Sequence, residues 1–222
     1  MGLTSSDSRK IISGEVDIEI LAPSASVAAS GSGGADLEGH SLDSNAMSVV
    51  IGLQHKSHRV ALLPGDMDEV GLSNLLKKCN NIEAQILVFP HHGGNPGDAD
   101  DQKFAKMLCE LVKPDLIVFS LHRTRYENPN EGVIQGVVAT LPNVHIVCTQ
   151  LSAKCSPLLP ASDFSHLTNF PAKGNVHDSC CGGTIYIKID GNQTTYGPSR
   201  MLHRQFVRGL PHPLCLRYLT KT

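Results

Sequence analysis

The chain has no tryptophan and only four tyrosines and six phenylalanines in 222 residues, so aromatics make up 5% of it. That scarcity removes the stacking platforms on which single-stranded nucleic acid is held. A cationic block is missing too: 19 basic against 21 acidic side chains leave a net charge of −2, which excludes the broad electrostatic footprint of a non-specific duplex binder. A small or locally bound nucleic-acid substrate stays compatible with that balance. No apolar run reaches membrane-spanning length, and residues 1–14 hold no apolar core of signal-peptide length, so the expectation is a soluble, cytoplasmic protein with no membrane partner. Seven cysteines, an odd number in a chain without an export signal, favour free thiols or metal ligation over a disulfide framework.

What is present is an alternation of strand-like and helix-like segments. Residues 15–21 alternate acidic and apolar side chains, the mark of a half-buried strand that Pro23 ends, and the Ser/Ala/Gly-rich stretch 24–39 reads as a flexible loop. Residues 47–53 and 59–63 are two β-rich runs joined by the polar segment 54–58, which predicts a hairpin. Helical spacing of Val70, Leu72, Leu75 and Leu76 predicts a helix over 68–79, and Phe104, Leu108 and Leu111 predict another over 100–112 that Pro114 stops. Strands over 85–89, 115–120 and 144–148 with a helix over 131–141 complete an α/β pattern, helices packed on a sheet. Residues 151–179 are irregular. A closing hairpin is expected over about 184–197, with Asp190-Gly191-Asn192 as its turn, and residues 201–222 form a basic, proline-broken tail with no predicted place. The whole reads as one domain, with 1–150 as its main part and 151–222 as an appended segment, hairpin and tail.

Two motifs end hydrophobic runs at breakers: Leu62-Leu63-Pro64-Gly65-Asp66 and Leu87-Val88-Phe89-Pro90-His91-His92-Gly93-Gly94. A polar side chain that follows a strand at such a breaker emerges at a sheet edge, where a ligand is held more rigidly than on a free loop. One carboxylate and two imidazoles suit a zinc-type ion. Asp66 would be a ligand, with helix N-capping as its plainer alternative. Of His91 and His92, neighbours on an extended chain point to opposite sides, so one would be the ligand and the other a substrate contact or a support unless the turn curls. Gly93 and Gly94 would let backbone approach an anion or the metal site.

The order Asn45-x-x-Ser48, then Pro64-Gly65-Asp66, then Pro90-His91-His92-Gly93-Gly94, then Ser120 and Asn128-Pro129 resembles the metallo-β-lactamase superfamily, in particular its ComEC-like branch of DNA-uptake competence hydrolases. The resemblance spans about residues 15–148, with further similarity in the terminal hairpin. It implies an αββα sandwich of which this chain holds a part, two divalent ions in a complete member, Asp66 as the carboxylate bridging them, and His91 or His92 as an imidazole ligand. It also implies hydrolysis of a phosphodiester or nucleic-acid-like substrate. The superfamily's leading His-x-His-x-Asp-His cluster is not in this sequence; His40, His55 and His58 have the wrong spacing. Asp66 and one or two histidines fall short of the roughly four donors that each zinc takes. Three explanations follow as expectations: a truncated gene, a partner polypeptide or homodimer that completes the sandwich, or a noncatalytic binding or assembly subunit. The strands over 15–63 carry Val49, Val50, Ile51, Leu53, Val60, Leu62 and Leu63, whose exposed face a partner would cover.

In the stretch Ser120 to Pro129, Arg123 and Arg125 lie beside His122, a set suited to gripping a phosphate diester through charge-assisted hydrogen bonds, or alternatively to a solvated basic loop. Asn128 stands where the resembling branch has a histidine. Cys148, Cys155, Cys180 and Cys181 could converge on a structural zinc, although their spacing departs from paired zinc-ribbon cysteines and buried free thiols explain them as simply. Cys79 and Cys109 read as core. His145, His166, His177, His203 and His212 each sit alone in the sequence and suggest no role.

Overall fold

In the computed structural model, which describes residues 11–13, 15–97, 100–160, 164–168, 179–191 and 193–218, the strands cross one sheet in the order in which the chain makes them. The first four are β1 (Ile11–Ser13), β2 (Val16–Ala22), β3 (Val50–His55) and β4 (His58–Leu63), each antiparallel to the next. β5 (Ile86–Val88), β6 (Leu116–Phe119) and β7 (His145–Cys148) then add in parallel to β4. The change of mode follows from the connections. β3 and β4 meet across a two-residue loop, Lys56-Ser57, with Lys56 at φ 56° and His55 opposite His58, so the turn is tighter than the expected 54–58 segment. β5, β6 and β7 are each reached through a helix, which returns the chain in the same direction.

The predicted helices form where their caps allow. The first of the two runs as α2 (Glu69–Leu76), started by Asp68 accepting a hydrogen bond from the Gly71 amide; the second runs as α3 (Asp101–Val112), started by Asp100 accepting from the Lys103 amide. α4 (Glu131–Thr140) follows, and Gly136 brings it against α3 so closely that a Cβ there would sit 2.4 Å from the Gln102 carbonyl oxygen. Two segments depart from expectation. The stretch read as a flexible loop contains a short helix, α1 (Ala25–Ser30), because the Ser24 hydroxyl accepts from the Val27 amide and alanine fills the turn. The unplaced basic tail forms α5 (Arg200–Arg208) and α6 (Leu214–Arg217), whose Phe206, Val207 and Leu214 are buried.

The helices share one face of the sheet. Leu62, Leu87, Ile117, Phe119 and Ile146 on that face pack with Leu72 and Leu75 of α2, Phe104 and Leu108 of α3, Val133 and Val137 of α4, and Val207 of α5. The opposite face carries Ala61, Ile86, Leu116, Val118 and Val147, all buried. The closing hairpin, β8 (Tyr186–Asp190) and β9 (Gln193–Gly197), lies over it, with Ile185 and Tyr196 packed against those side chains. The fold is therefore α/β, a mixed seven-stranded sheet with helices on its outer face. The expected bare apolar face is correspondingly reduced: Val50, Val60 and Leu62 are buried, while Ile51, Leu53 and Leu63 are half-buried and Val49 is exposed. No helix among the described residues is long and apolar enough to cross a membrane.

Candidate metal centre

Asp66 and the two histidines come together at the carboxyl ends of β4 and β5, neighbouring parallel strands. After Leu63, Pro64 and Gly65 turn the chain, with Gly65 at φ +62° beside Ser48, and Asp66 emerges exposed. The helix cap that would have explained Asp66 is Asp68 instead. Asp66 is thus free of the structural task that competed with ligation.

Pro90–Gly93 curls into a single tight turn. His91 and His92 both take left-handed backbone angles, φ 51° and 56°, and Gly93 follows at φ +80°. For residues with a Cβ this costs about 1–2 kcal/mol each, so the surroundings must impose it. They do so from the 119–130 segment: the Asn128 side-chain amide donates to the His91 carbonyl at 3.2 Å, the Asn130 amide donates to the Gly93 carbonyl at 2.8 Å, and His92 Nδ1 donates to the Ser120 carbonyl at 2.5 Å. A Cβ on Gly93 would lie 2.6 Å from the Phe119 ring and 2.7 Å from Pro129, and one on Gly94 would lie 3.0 Å from the Asn128 side chain. The glycine pair therefore lets the turn press against Phe119, Asn128 and Pro129.

The two imidazoles end in different states. His92 is exposed, and its Nδ1 bond to a carbonyl leaves the Nε2 lone pair outward, the arrangement in which a histidine serves as a metal ligand. His91 is half-buried, and its Nε2 is a buried nitrogen with no hydrogen-bond partner. Burial holds the His91 imidazole below its usual range, against the pull of Asp66, Asp68 and Asp43. Asp68 is pushed the other way: its burial raises the carboxyl, the Gly71 amide opposes that, and the charge of Asp43 adds to it. Asp66, Asp68 and Asp43 thus lie near enough to act on His91, and carboxylates and imidazoles are residue types that could serve a divalent cation. Asp43 and Asp68 were not apparent as neighbours of His91 in the sequence. The signal available was the spacing Asp66-x-Asp68, since both flank the same strand end.

The corner is open rather than closed. Among the described residues, the one set of three or more His, Cys, Asp or Glu ligand atoms lying within 4.8 Å of each other is Asp36, Glu38 and His40, on the exposed loop after α1. Lys77 already answers that set, 3.0 Å from Glu38 and 3.7 Å from Asp36.

The expected phosphate grip divides. Arg123 is a brace, not a clamp: its guanidinium donates to the carbonyls of Leu151 (2.9 Å), Ser156 (2.7 Å) and Pro157 (3.0 Å). Arg125 is exposed, its guanidinium 4.7 Å from the centre of the Tyr126 ring. His122 Nδ1 accepts from the Thr124 and Arg125 amides at 3.3 Å each and shapes the loop.

The four cysteines suggested for zinc do not assemble. Cys148, Cys155 and Cys181 line one buried cavity. Cys180 is placed by a backbone bridge to Gln150. No three of these sulfurs lie within 4.8 Å of one another. Cys109 is core, as expected, and Cys79 is half-exposed, donating to the Asn81 carbonyl.

Comparison of the sequence with protein-family models and with curated proteins returns no match. The family resemblance rests on the motifs and on where they stand.

Proposed function

We propose that the protein is a metal-dependent hydrolase of the metallo-β-lactamase type, acting on a phosphodiester or nucleic-acid-like substrate in the cytoplasm, with Asp66, His91 and His92 as the ligands it contributes. The observation that carries this reading is the Pro90–Gly93 turn, where two successive histidines occupy left-handed backbone and one presents a buried, unpartnered Nε2 beside carboxylates. Stability offers no reason for that arrangement, and strained backbone with orphaned donors gathers at functional sites.

The residues fit a divalent ion of the zinc kind in type, two imidazoles and a carboxylate, and fall short in number. A bound ion supplies Lewis acidity and lowers the pKa of a water. The chain's own part is to aim the donors: the Ser120 carbonyl fixes the His92 ring, Asn128 fixes the turn, and Asp66 offsets cationic charge. Arg125, exposed on a loop that Arg123 stiffens, would be the cation that meets a phosphate oxygen. A partner chain or a second copy, set against the half-buried strip of Ile51, Leu53 and Leu63, would complete the donors and the sandwich.

A second reading, a noncatalytic binding or assembly subunit, is favoured by the openness of the corner. Elemental analysis of the purified chain, with zinc and manganese titrations and a chromogenic phosphodiester assay, separates the two. Bound metal that Asp66→Ala and His91→Ala/His92→Ala both abolish, together with turnover, supports the hydrolase. Metal bound at this corner without turnover supports the subunit. A chain that binds no metal, or binds it unchanged in those variants, refutes the proposed centre.

A further inference from the structure

Three of the histidines that stood alone in the sequence, His145, His166 and His203, are brought together at the edge of β7, around one cysteine. His203 of α5 places Nε2 3.2 Å from the Cys181 sulfur and Nδ1 3.0 Å from Nε2 of His145 on β7. His166 Nε2 donates to the Cys181 carbonyl at 2.6 Å, and its ring stacks on Phe206 with centroids 4.2 Å apart. Cys181, His145, His166 and His203 are all buried. Cys148 lines the same cavity as Cys181, and the backbones are joined by the Gly182 amide donating to the Cys148 carbonyl at 2.7 Å. Both sulfurs line an apolar cavity of about 20 Å³. That is room for one molecule of water size.

The direction of the protons along this chain is set at its far end. His145 Nδ1 is buried with no partner, and an orphaned acceptor costs less than an orphaned N–H. The favoured arrangement therefore leaves Nδ1 of His145 bare and puts its proton on Nε2, donating to His203 Nδ1. His203 then carries its proton on Nε2 and points it at the Cys181 sulfur. A donor aimed at the sulfur favours its anion, and the neighbouring Cys148 thiol first, then His203, draw the Cys181 thiol well below the usual range despite burial. Cys148 is driven up in turn. Cys155, which lines the same cavity, is pushed up to about 11 by burial and stays a thiol.

We propose that Cys181 and Cys148 are a redox-active pair, Cys181 the attacking sulfur and Cys148 the resolving one, closed to a disulfide by hydrogen peroxide or a comparably small hydroperoxide. The Cys181 sulfur attacks one peroxide oxygen, the O–O bond breaks, and the departing hydroxide takes the Cys148 proton to become water. The Cys148 sulfur then attacks the sulfenic sulfur of Cys181 and expels hydroxide, which solvent protonates. Two sulfurs are oxidised by one peroxide. The crosslink ties the segment leading into the β8–β9 hairpin to the end of β7, one residue before Thr149 and Gln150, whose side chains accept from the Leu121 and Arg123 amides of the loop beside the candidate metal centre.

The test uses the full chain, treated with hydrogen peroxide without denaturant, digested after alkylation and mapped by mass spectrometry. The expected product is a Cys148–Cys181 linked peptide, formed ahead of modification at the half-exposed Cys79 and reversed by a dithiol. In Cys148→Ser a dione probe captures Cys181 as the sulfenic acid, and in Cys181→Ser Cys148 stays reduced. His203→Gln slows formation of the link by about tenfold, the factor carried by one pKa unit of thiol ionisation. The unmutated chain decides the matter even where a variant fails to fold. Oxidation of Cys79 with Cys148 and Cys181 still reduced, a link from Cys181 to Cys155 or Cys215, or a metal ion found by elemental analysis to protect Cys181 would each overturn the proposal.

Discussion

The buried His145 makes the fold sensitive to mild acid, by an amount that can be worked out. Burial first, then the neighbouring His203, Arg200 and Arg204, hold the imidazole down to about 3, against an ordinary value of 6.5. In the unfolded chain His145 takes up a proton near pH 6.5, and in the folded chain it does not until about pH 3. Between those values the unfolded state binds more protons, so stability falls as the pH falls. The slope is about 1.4 kcal/mol per pH unit, and from pH 7 to pH 4.5 the loss attributable to this one side chain approaches about 2.7 kcal/mol. Urea unfolding curves at pH 7, 6, 5 and 4.5 for the natural chain and for His145→Gln isolate the effect, because glutamine keeps an amide donor for His203 Nδ1 and does not titrate. The natural chain should lose stability with acid more steeply than the variant, by about 1.4 kcal/mol per unit below pH 6. Parallel curves would show that His145 is solvated or protonated in the fold, and the proton order drawn for the Cys181 relay would go with it.

Two further outcomes follow from the packing. Gly93→Ala places a methyl 2.6 Å from the Phe119 ring at φ +80°, so thermal or chemical unfolding should show a loss of about 2–4 kcal/mol, strain and overpacking combined; a loss below 0.5 kcal/mol, the range of ordinary surface substitutions, would mean that the turn can relax away from Phe119. Arg123→Ala should cost about 1.5–3 kcal/mol by stripping three carbonyls of their donor, whereas Arg125→Ala should change stability by less than about 0.5 kcal/mol and act only on phosphate binding. Equal stability losses in the two variants would contradict the separation of brace from clamp.

Much of the sheet was legible because its central strands are short runs with no polar interruption, as in Leu116–Phe119, and such runs have few fates other than a strand buried on both faces. The positions of Asp66, His91 and His92 at strand ends were legible for the same reason, since Pro64-Gly65 and Pro90 end the runs. α5 was not. Arginines punctuate it and Met201 and Leu202 are not buried, so the stripe that packs, His203, Phe206 and Val207, is only three residues wide at helical spacing. α1 was hidden behind serine and alanine, which serve a loop as well as a capped turn. The use of Arg123 could not be read at all, because the three carbonyls that hold it come from residues 28, 33 and 34 positions further on. Nor could the relay, whose members His145 and His203 are 58 positions apart. Local pattern finds where a side chain leaves an element; the company it keeps is set by chain topology.

The chain-order arrangement of the seven strands bears on how the molecule is made. No strand has to be threaded between two earlier ones, so each new strand can dock on the one just completed as the polypeptide leaves the ribosome, and the sheet lengthens from one side only. During that growth the newest strand always presents an unsatisfied row of amides and carbonyls, an invitation to other nascent chains. The last such row is that of β7, and it is residues 179–183 and α5, made after it, that pair with its end and pack along it. The tail that looked least structured is thus the piece that closes the growing edge and brings the vulnerable period to an end.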